Sequence, residues 1–145
     1  MDGKVVSINI SDKKGVRKKP VTEAEIVTDF GIEGDAHASQ NWHRQISLLA
    51  VESIKKMQAL GLKVNPGDFA ENITTEGIDL LGLPVGTKMS IGNVAVEVSQ
   101  IGKECHTRCS IYYQAGDCVM PKEGIFVKVL KGGKIKQGDA IKISA

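Results

Sequence analysis

One stretch of the chain carries most of the side chains able to do chemistry: Lys103-Glu104-Cys105-His106-Thr107-Arg108-Cys109, with Cys118 a little further on. Thiolate is the reactive form of cysteine, and the cationic or polarisable neighbours Lys103, His106 and Arg108 favour that form at Cys105. Three roles are open to it: nucleophile, sulfur carrier, or soft ligand to a metal. Zinc is a rival reading, since Cys105, His106, Cys109 and Cys118 are ligands of the right type. Adjacent Cys105 and His106 do not easily serve one tetrahedral ion, however, and the paired spacing of structural zinc sites is missing. A redox pair of Cys105 with Cys109 lacks the Cys-x-x-Cys spacing. Free cysteines also fill small apolar spaces, a reading that suits Cys118 and Cys109 better than Cys105.

A second polar stretch, His37-Ala38-Ser39-Gln40-Asn41-Trp42-His43-Arg44, follows the turn-rich Gly31-Ile32-Glu33-Gly34-Asp35. Either imidazole could bind a ligand or hydrogen-bond a loop carbonyl, and the spacing does not choose between them. Asp35 between glycines is ordinary turn chemistry. Arg44 stands at the start of an expected strand, where a guanidinium can hold a phosphate or carboxylate bidentately. The basic run from Lys13 to Lys19, which includes Lys18 and Lys19, could gather an anion or be a solvated loop.

The elements that must position these groups are short. Strands are expected at Val5–Ile10, Ala24–Phe30, Gln45–Leu49, Phe69–Thr74, Thr87–Ile91, Val94–Ser99, Ile125–Leu130 and Ala140–Ile143, from β-branched content and alternation. The polar run from Ser11 to Pro20 ends the first of them. Gly92-Asn93 is the signal for a tight hairpin, and Leu83-Pro84-Val85-Gly86, Lys131-Gly132-Gly133-Lys134 and Gln137-Gly138-Asp139 read as turns. Ala50, Ile54, Met57 and Leu60 recur at helical spacing, with Gly61 placed as a C-terminal cap. About eight short strands with Gly-rich turns and one clear helix predict a mainly β fold, a sheet closed into a barrel, with Cys105–Pro121 as a loop insertion near one mouth.

With 145 residues the chain suits a single domain, and 41% hydrophobic against 25% charged residues is enough to bury a core. Nineteen Lys and Arg against seventeen Asp and Glu is too even for a surface devoted to nucleic acid, and 4% aromatic residues leave few stacking platforms. No apolar run approaches the ~20 residues of a membrane helix. The N-terminal residues do not show the charged-then-apolar pattern of a secretory signal, and three clustered cysteines do not make a dispersed disulfide framework; a cytoplasmic location is expected.

Several segments in order resemble the MOSC domain, named for the C-terminal domain of molybdenum cofactor sulfurase. They are Gly31-Ile32-Glu33-Gly34-Asp35-Ala36-His37, Arg44-Gln45-Ile46-Ser47-Leu48-Leu49, Gly67-Asp68-Phe69-Ala70-Glu71-Asn72-Ile73-Thr74, Leu83-Pro84-Val85-Gly86-Thr87, Cys105, and Glu123 to Ile135 with Gly138-Asp139. The resemblance spans nearly the whole chain, is closest to short stand-alone bacterial members, and implies one MOSC domain over 1–145 built as a pyruvate-kinase-like β-barrel. It implies handling of the pterin-based molybdenum cofactor (molybdopterin) or its precursor, with Cys105 as sulfur acceptor or molybdenum ligand. Arg44, Lys18 and Lys19 would then hold the cofactor's phosphate, His37 or His43 the pterin or oxo groups, and Asn72 would belong to the same site. Implied partners are the pterin cofactor and a molybdoenzyme, a molybdopterin-biosynthesis protein or a cysteine desulfurase. No lysine lies in a pyridoxal-phosphate motif, so that cofactor of the sulfurases is not expected. Two other readings stay open: a non-enzymatic cofactor carrier, and a zinc-binding barrel in which Cys109 and Cys118 are structural ligands.

Overall fold

The computed structural model describes residues 3–12, 18–36, 38–40, 44–61, 63–67, 69, 71–101 and 124–144. The described chain forms eleven strands, one α-helix and a single 3₁₀ turn at Leu80–Gly82. The strands are β1 (Gly3–Ile10), β2 (Lys19–Val21), β3 (Glu23–Val27), β4 (Gly31–Ile32), β5 (Ile46–Ala50), β6 (Ile73–Glu76), β7 (Lys88–Ile91), β8 (Val94–Ile101), β9 (Ile125–Lys131), β10 (Gly133–Lys136) and β11 (Ala140–Ile143). The helix α1 covers Val51–Ala59.

Seven strands close on themselves in the order β1-β11-β7-β8-β9-β5-β6, returning to β1. Closure removes open sheet edges. All neighbours run antiparallel except β5 and β6, which are parallel. Helix α1 and the chain up to Ile73 make the crossover that a parallel pair requires. Short β2 continues the β1 edge beyond the reach of β11, and β10, β3 and β4 form a second, three-stranded sheet.

Alternation along the strands decides what lies inside. Val5 and Ile8 of β1, Ile46 and Leu48 of β5, Ile73 of β6, and Ile125, Val127 and Val129 of β9 share the barrel core. A bulge between Val5 and Ser7 keeps Val5 and Ile8 on one face although they are three residues apart. Leu49 points outward and joins Ile54, Met57, Val64, Phe69 and Phe126 in a smaller core beneath α1. The two sides of β5 therefore serve two hydrophobic clusters.

The mainly β barrel expected from the sequence is present, and its differences from that reading are local. Phe69, Glu71 and Asn72 do not extend β6; the strand starts at Ile73, because Phe69 is committed to the small core and the side chains of Glu71 and Asn72 to polar contacts. The turn expected at Lys131–Lys134 is a change of sheet: β9 runs to Lys131 and β10 starts at Gly133 on β3. A Cβ on Gly132 would lie 2.3 Å from the Ile26 carbonyl oxygen, so only glycine permits this close crossing. Lys19–Val21 pairs with the end of β1, where a simple loop was expected, and Pro20 fits there because β2 is an edge strand. Strand β3 stops at Val27, and Asp29 takes a left-handed conformation (φ 51°) that turns the chain into β4. None of the described helices is long and apolar enough to cross a membrane.

Candidate functional site

The outward-facing residues of β1, β6 and β5 are polar where the core-facing ones are aliphatic. Ser7 and Asn9 leave β1, Thr74 leaves β6 and Ser47 leaves β5, all of them buried. Polar groups taken out of water must find partners, and these find one another. Ser7 donates to Asn9 Oδ1 at 2.7 Å, and Asn9 Nδ2 donates to Thr74 Oγ1 at 3.2 Å. Asn72 ties three elements: its Oδ1 accepts from the Ser47 N–H at 3.0 Å and the Ser47 hydroxyl at 3.2 Å, and its Nδ2 donates to the Asn9 carbonyl at 3.2 Å.

Beside this wall lies a buried ion pair. Lys18 Nζ is 2.7 Å from Asp35 Oδ1, and neither side chain is exposed. Lys18 also donates to the Ser11 hydroxyl at 3.2 Å, and the Ser11 N–H donates to Asp35 at 3.1 Å. Burial by itself pushes the Asp35 carboxyl up, but hydrogen bonds from Lys18 and the Ser11 N–H, the Lys18 charge, and Asn72 outweigh it and hold Asp35 below its usual range. Lys18, expected to hold a phosphate, is thus engaged with a carboxylate. Lys19 turns outward and is exposed, on the rim of a cleft of about 540 Å³ shared with Ser11, Pro20 and Gly34.

Arg44 occupies the other flank. Its Nε donates to Gln100 Oε1 at 2.8 Å, and its guanidinium lies over the Phe126 ring at 5.3 Å from the centroid, a cation–π arrangement. Gln100 and Phe126 are cross-strand partners on β8 and β9, as are Ile101 and Ile125. The chain between Ile101 and Ile125, which contains Cys105, Cys109 and Cys118, therefore leaves and re-enters the barrel at adjacent positions next to the Arg44 anchor. Gln45 secures the root of the histidine stretch: its Nε2 donates to Asp29 Oδ1 at 3.0 Å and to the Ser39 carbonyl at 3.3 Å, and its Oε1 accepts from the Val129 N–H at 2.9 Å. At the other root, the Ala36 N–H donates to the Ser11 carbonyl at 2.8 Å.

His37, His43, Cys105, Cys109 and Cys118 lie outside the described residues. The structure describes the residues that flank these stretches. The stretch holding the histidines starts beside the Asp35–Lys18 pair and ends at Arg44, and Arg44 reaches to the root of the cysteine stretch. Asn72 belongs to this wall with its amide bonded on both ends. Among the described residues no cluster of three His, Cys, Asp or Glu side chains could hold a metal. Ser47, Gln45 and Glu71 carry the wall and were not singled out from the sequence. A lone carboxylate in the otherwise uncharged run Phe69-Ala70-Glu71-Asn72-Ile73 was the available signal for Glu71.

A closed barrel with a polar, partly charged outer wall defines a small β-barrel domain. The chain belongs to the MOSC domain family, whose profile matches residues 33–142. Among solved structures it is similar to the YuaD protein from Bacillus subtilis, with a TM-score of 0.80 and 20% identity, covering 99% of this chain and 96% of that one. It is also similar to YiiM from Escherichia coli, with a TM-score of 0.71 and 20% identity, covering 100% of this chain and 70% of that one. YiiM from Geobacillus stearothermophilus gives a TM-score of 0.71 and 20% identity over 99% of this chain and 75% of that one. At this identity the likeness is one of fold. A comparison with curated protein sequences returns no match.

Proposed function

We propose that this chain works as one MOSC domain that binds a pterin-based molybdenum cofactor or its precursor and handles sulfur or metal through Cys105. The observation that carries the reading is the Arg44 anchor, a guanidinium fixed by Gln100 and Phe126 at the root of the stretch that holds Cys105. The donor set fits the phosphate end of such a molecule. Exposed Lys19 and the Ser11 hydroxyl border a cleft of about 540 Å³, and ammonium and hydroxyl groups are usual partners of phosphate oxygens. Lys18 would act indirectly: neutralised by Asp35, it fixes Ser11 and the start of the histidine stretch.

Bound, the cofactor would supply a metal centre able to exchange sulfur or oxo ligands. The protein's own contribution is a soft thiolate at Cys105, suited to coordination or to sulfur transfer. In a transfer, the Cys105 thiolate attacks the outer sulfur of a donor persulfide; the new S–S bond forms on Cys105 and the donor leaves as its thiolate, with no net oxidation. His37 and His43 would hydrogen-bond pterin or oxo groups.

The test is Cys105→Ser. Bound molybdenum and pterin, or sulfur on the cysteine peptide, should be lost, while the melting temperature stays near that of the parent protein. Unchanged retention of cofactor and sulfur would overturn the proposal.

A further inference from the structure

Two basic side chains flank the outer wall, and they are held differently. Lys18 is gripped by a carboxylate: its Nζ stands 2.7 Å from Asp35 Oδ1, so the two opposite charges meet within one pair. Arg44 is gripped by groups that carry no charge. Its Nε donates to the amide oxygen of Gln100 at 2.8 Å, and its guanidinium lies 5.3 Å from the centroid of the Phe126 ring. An amide oxygen and an aromatic face fix a guanidinium in place and, unlike a carboxylate, do not neutralise it.

The strands are shaped to bring these groups together. Val98 of β8 stands opposite Val127 of β9, and an unbroken ladder would set Ser99 opposite Phe126. An irregularity between Val98 and Gln100 sets Gln100 there instead. Directly opposed residues project from one face of a sheet, and bulges are common where a side chain is re-aimed beside a working site. Phe126 is 4% exposed and also packs with Leu49, Ile54 and Met57 beneath α1, which gives its ring a firm backing. On β5 the residue after Arg44, Gln45, is fully buried and bonded to Asp29, Ser39 and Val129, which fixes the backbone from which Arg44 projects.

We propose that Gln100 and Phe126 are positioning residues that form a neutral cradle for Arg44, presetting its guanidinium to receive a phosphate oxyanion without drawing on its charge. A side chain already held in one arrangement loses less freedom when a ligand arrives, and the planar fork of guanidinium donors matches phosphate oxygens. The inference rests on the reading above, in which the site takes a phosphate-bearing molecule. It adds the residues that tune that step: the ring at position 126 sets the direction of the guanidinium, and an amide in place of a carboxylate at position 100 preserves its charge.

The test pairs the Arg44 Hδ resonances, which an aromatic ring beneath them displaces upfield, with titration of inorganic phosphate into the full chain. Phe126→Leu should return these resonances to the ordinary arginine position and weaken phosphate binding about two- to fivefold. Gln100→Glu keeps the acceptor for Nε, so the resonances should stay displaced while phosphate binding weakens about tenfold or more. Leu49→Ala loosens the same small core but leaves ring and guanidinium, and should change neither. Phosphate bound as in the parent protein by either Phe126→Leu or Gln100→Glu would overturn the proposal, as would an equal loss in Leu49→Ala. Should Phe126→Leu fail to fold, the parent protein and Gln100→Glu decide. Displaced resonances with weakened phosphate in Gln100→Glu support the cradle; resonances at the ordinary position in the parent, or unweakened phosphate, refute it. Arg44→Ala separates the cradle from the reading beneath it. If Arg44→Ala takes phosphate as well as the parent does, Arg44 holds no oxyanion and both fall; if it loses phosphate while Phe126→Leu or Gln100→Glu keeps it, the cradle alone falls.

Discussion

Lys18 and Asp35, seventeen residues apart in sequence, meet at 2.7 Å with both side chains out of water. Such a pair adds little net stability relative to an apolar substitute, but removing one member strands a buried charge. Lys18→Met should therefore cost about 3–5 kcal/mol, and Lys18→Met combined with Asp35→Leu should recover part of that loss. Urea unfolding of the two variants checks the order.

The same pair sets an acid limit. Asp35 has a lowered carboxyl value in the folded chain, so the stability it contributes is present above its unfolded value of 3.8 and is lost as pH falls through the lower folded value. Asp35→Asn should flatten this acid limb below pH 3.8 and lower stability at neutral pH. Thermal melts across the acid range read both effects.

Arg44→Lys keeps the charge but loses the planar contact with Phe126 and the fixed bond to Gln100. Stability should fall by about 1 kcal/mol or less, whereas retention of molybdopterin or inorganic phosphate should weaken clearly more. Calorimetric binding set beside a denaturation curve separates the two. Equal losses would make Arg44 a packing residue only.

Lys19 is exposed on the cleft rim. Lys19→Ala should leave folding stability within about 0.5 kcal/mol and reduce the salt sensitivity of anion binding, measured by titration at two ionic strengths.

Leu49 belongs to the small core beneath α1 and is fully buried. Leu49→Ala should destabilise by about 2–5 kcal/mol and selectively lower amide protection in α1. Loss of protection spread evenly over the barrel would show that the two cores unfold as one.

Features set by neighbouring residues were legible in the sequence. The β7–β8 hairpin turns at Gly92 (φ 57°) with Ile91 opposite Val94, and α1 gives way to Gly61 (φ 91°), each as the local pattern requires. Alternation placed Ile46 and Leu48 together because period two is a property of any strand with one buried face. Features decided by distant partners were not legible. Lys18 sits within a run of surface-type lysines and is buried only because Asp35 comes to it from another turn. Asn72 and Ser47 are 25 residues apart, and their pairing depends on the parallel β5–β6 register, which no local pattern announces. Glycine 132 looked like a turn because glycine serves turns and close crossings alike.

The central claim, that this MOSC domain handles a molybdenum cofactor through Cys105, is tested most directly on protein purified from its native source. Elemental analysis for molybdenum, tungsten, zinc and iron is paired with mass spectrometry of the Cys105 peptide. Molybdenum together with pterin, or a persulfide on Cys105, is the predicted result. Stoichiometric zinc that disappears in Cys109→Ser, with neither pterin nor sulfur on Cys105, would contradict it and make the cysteines a structural site.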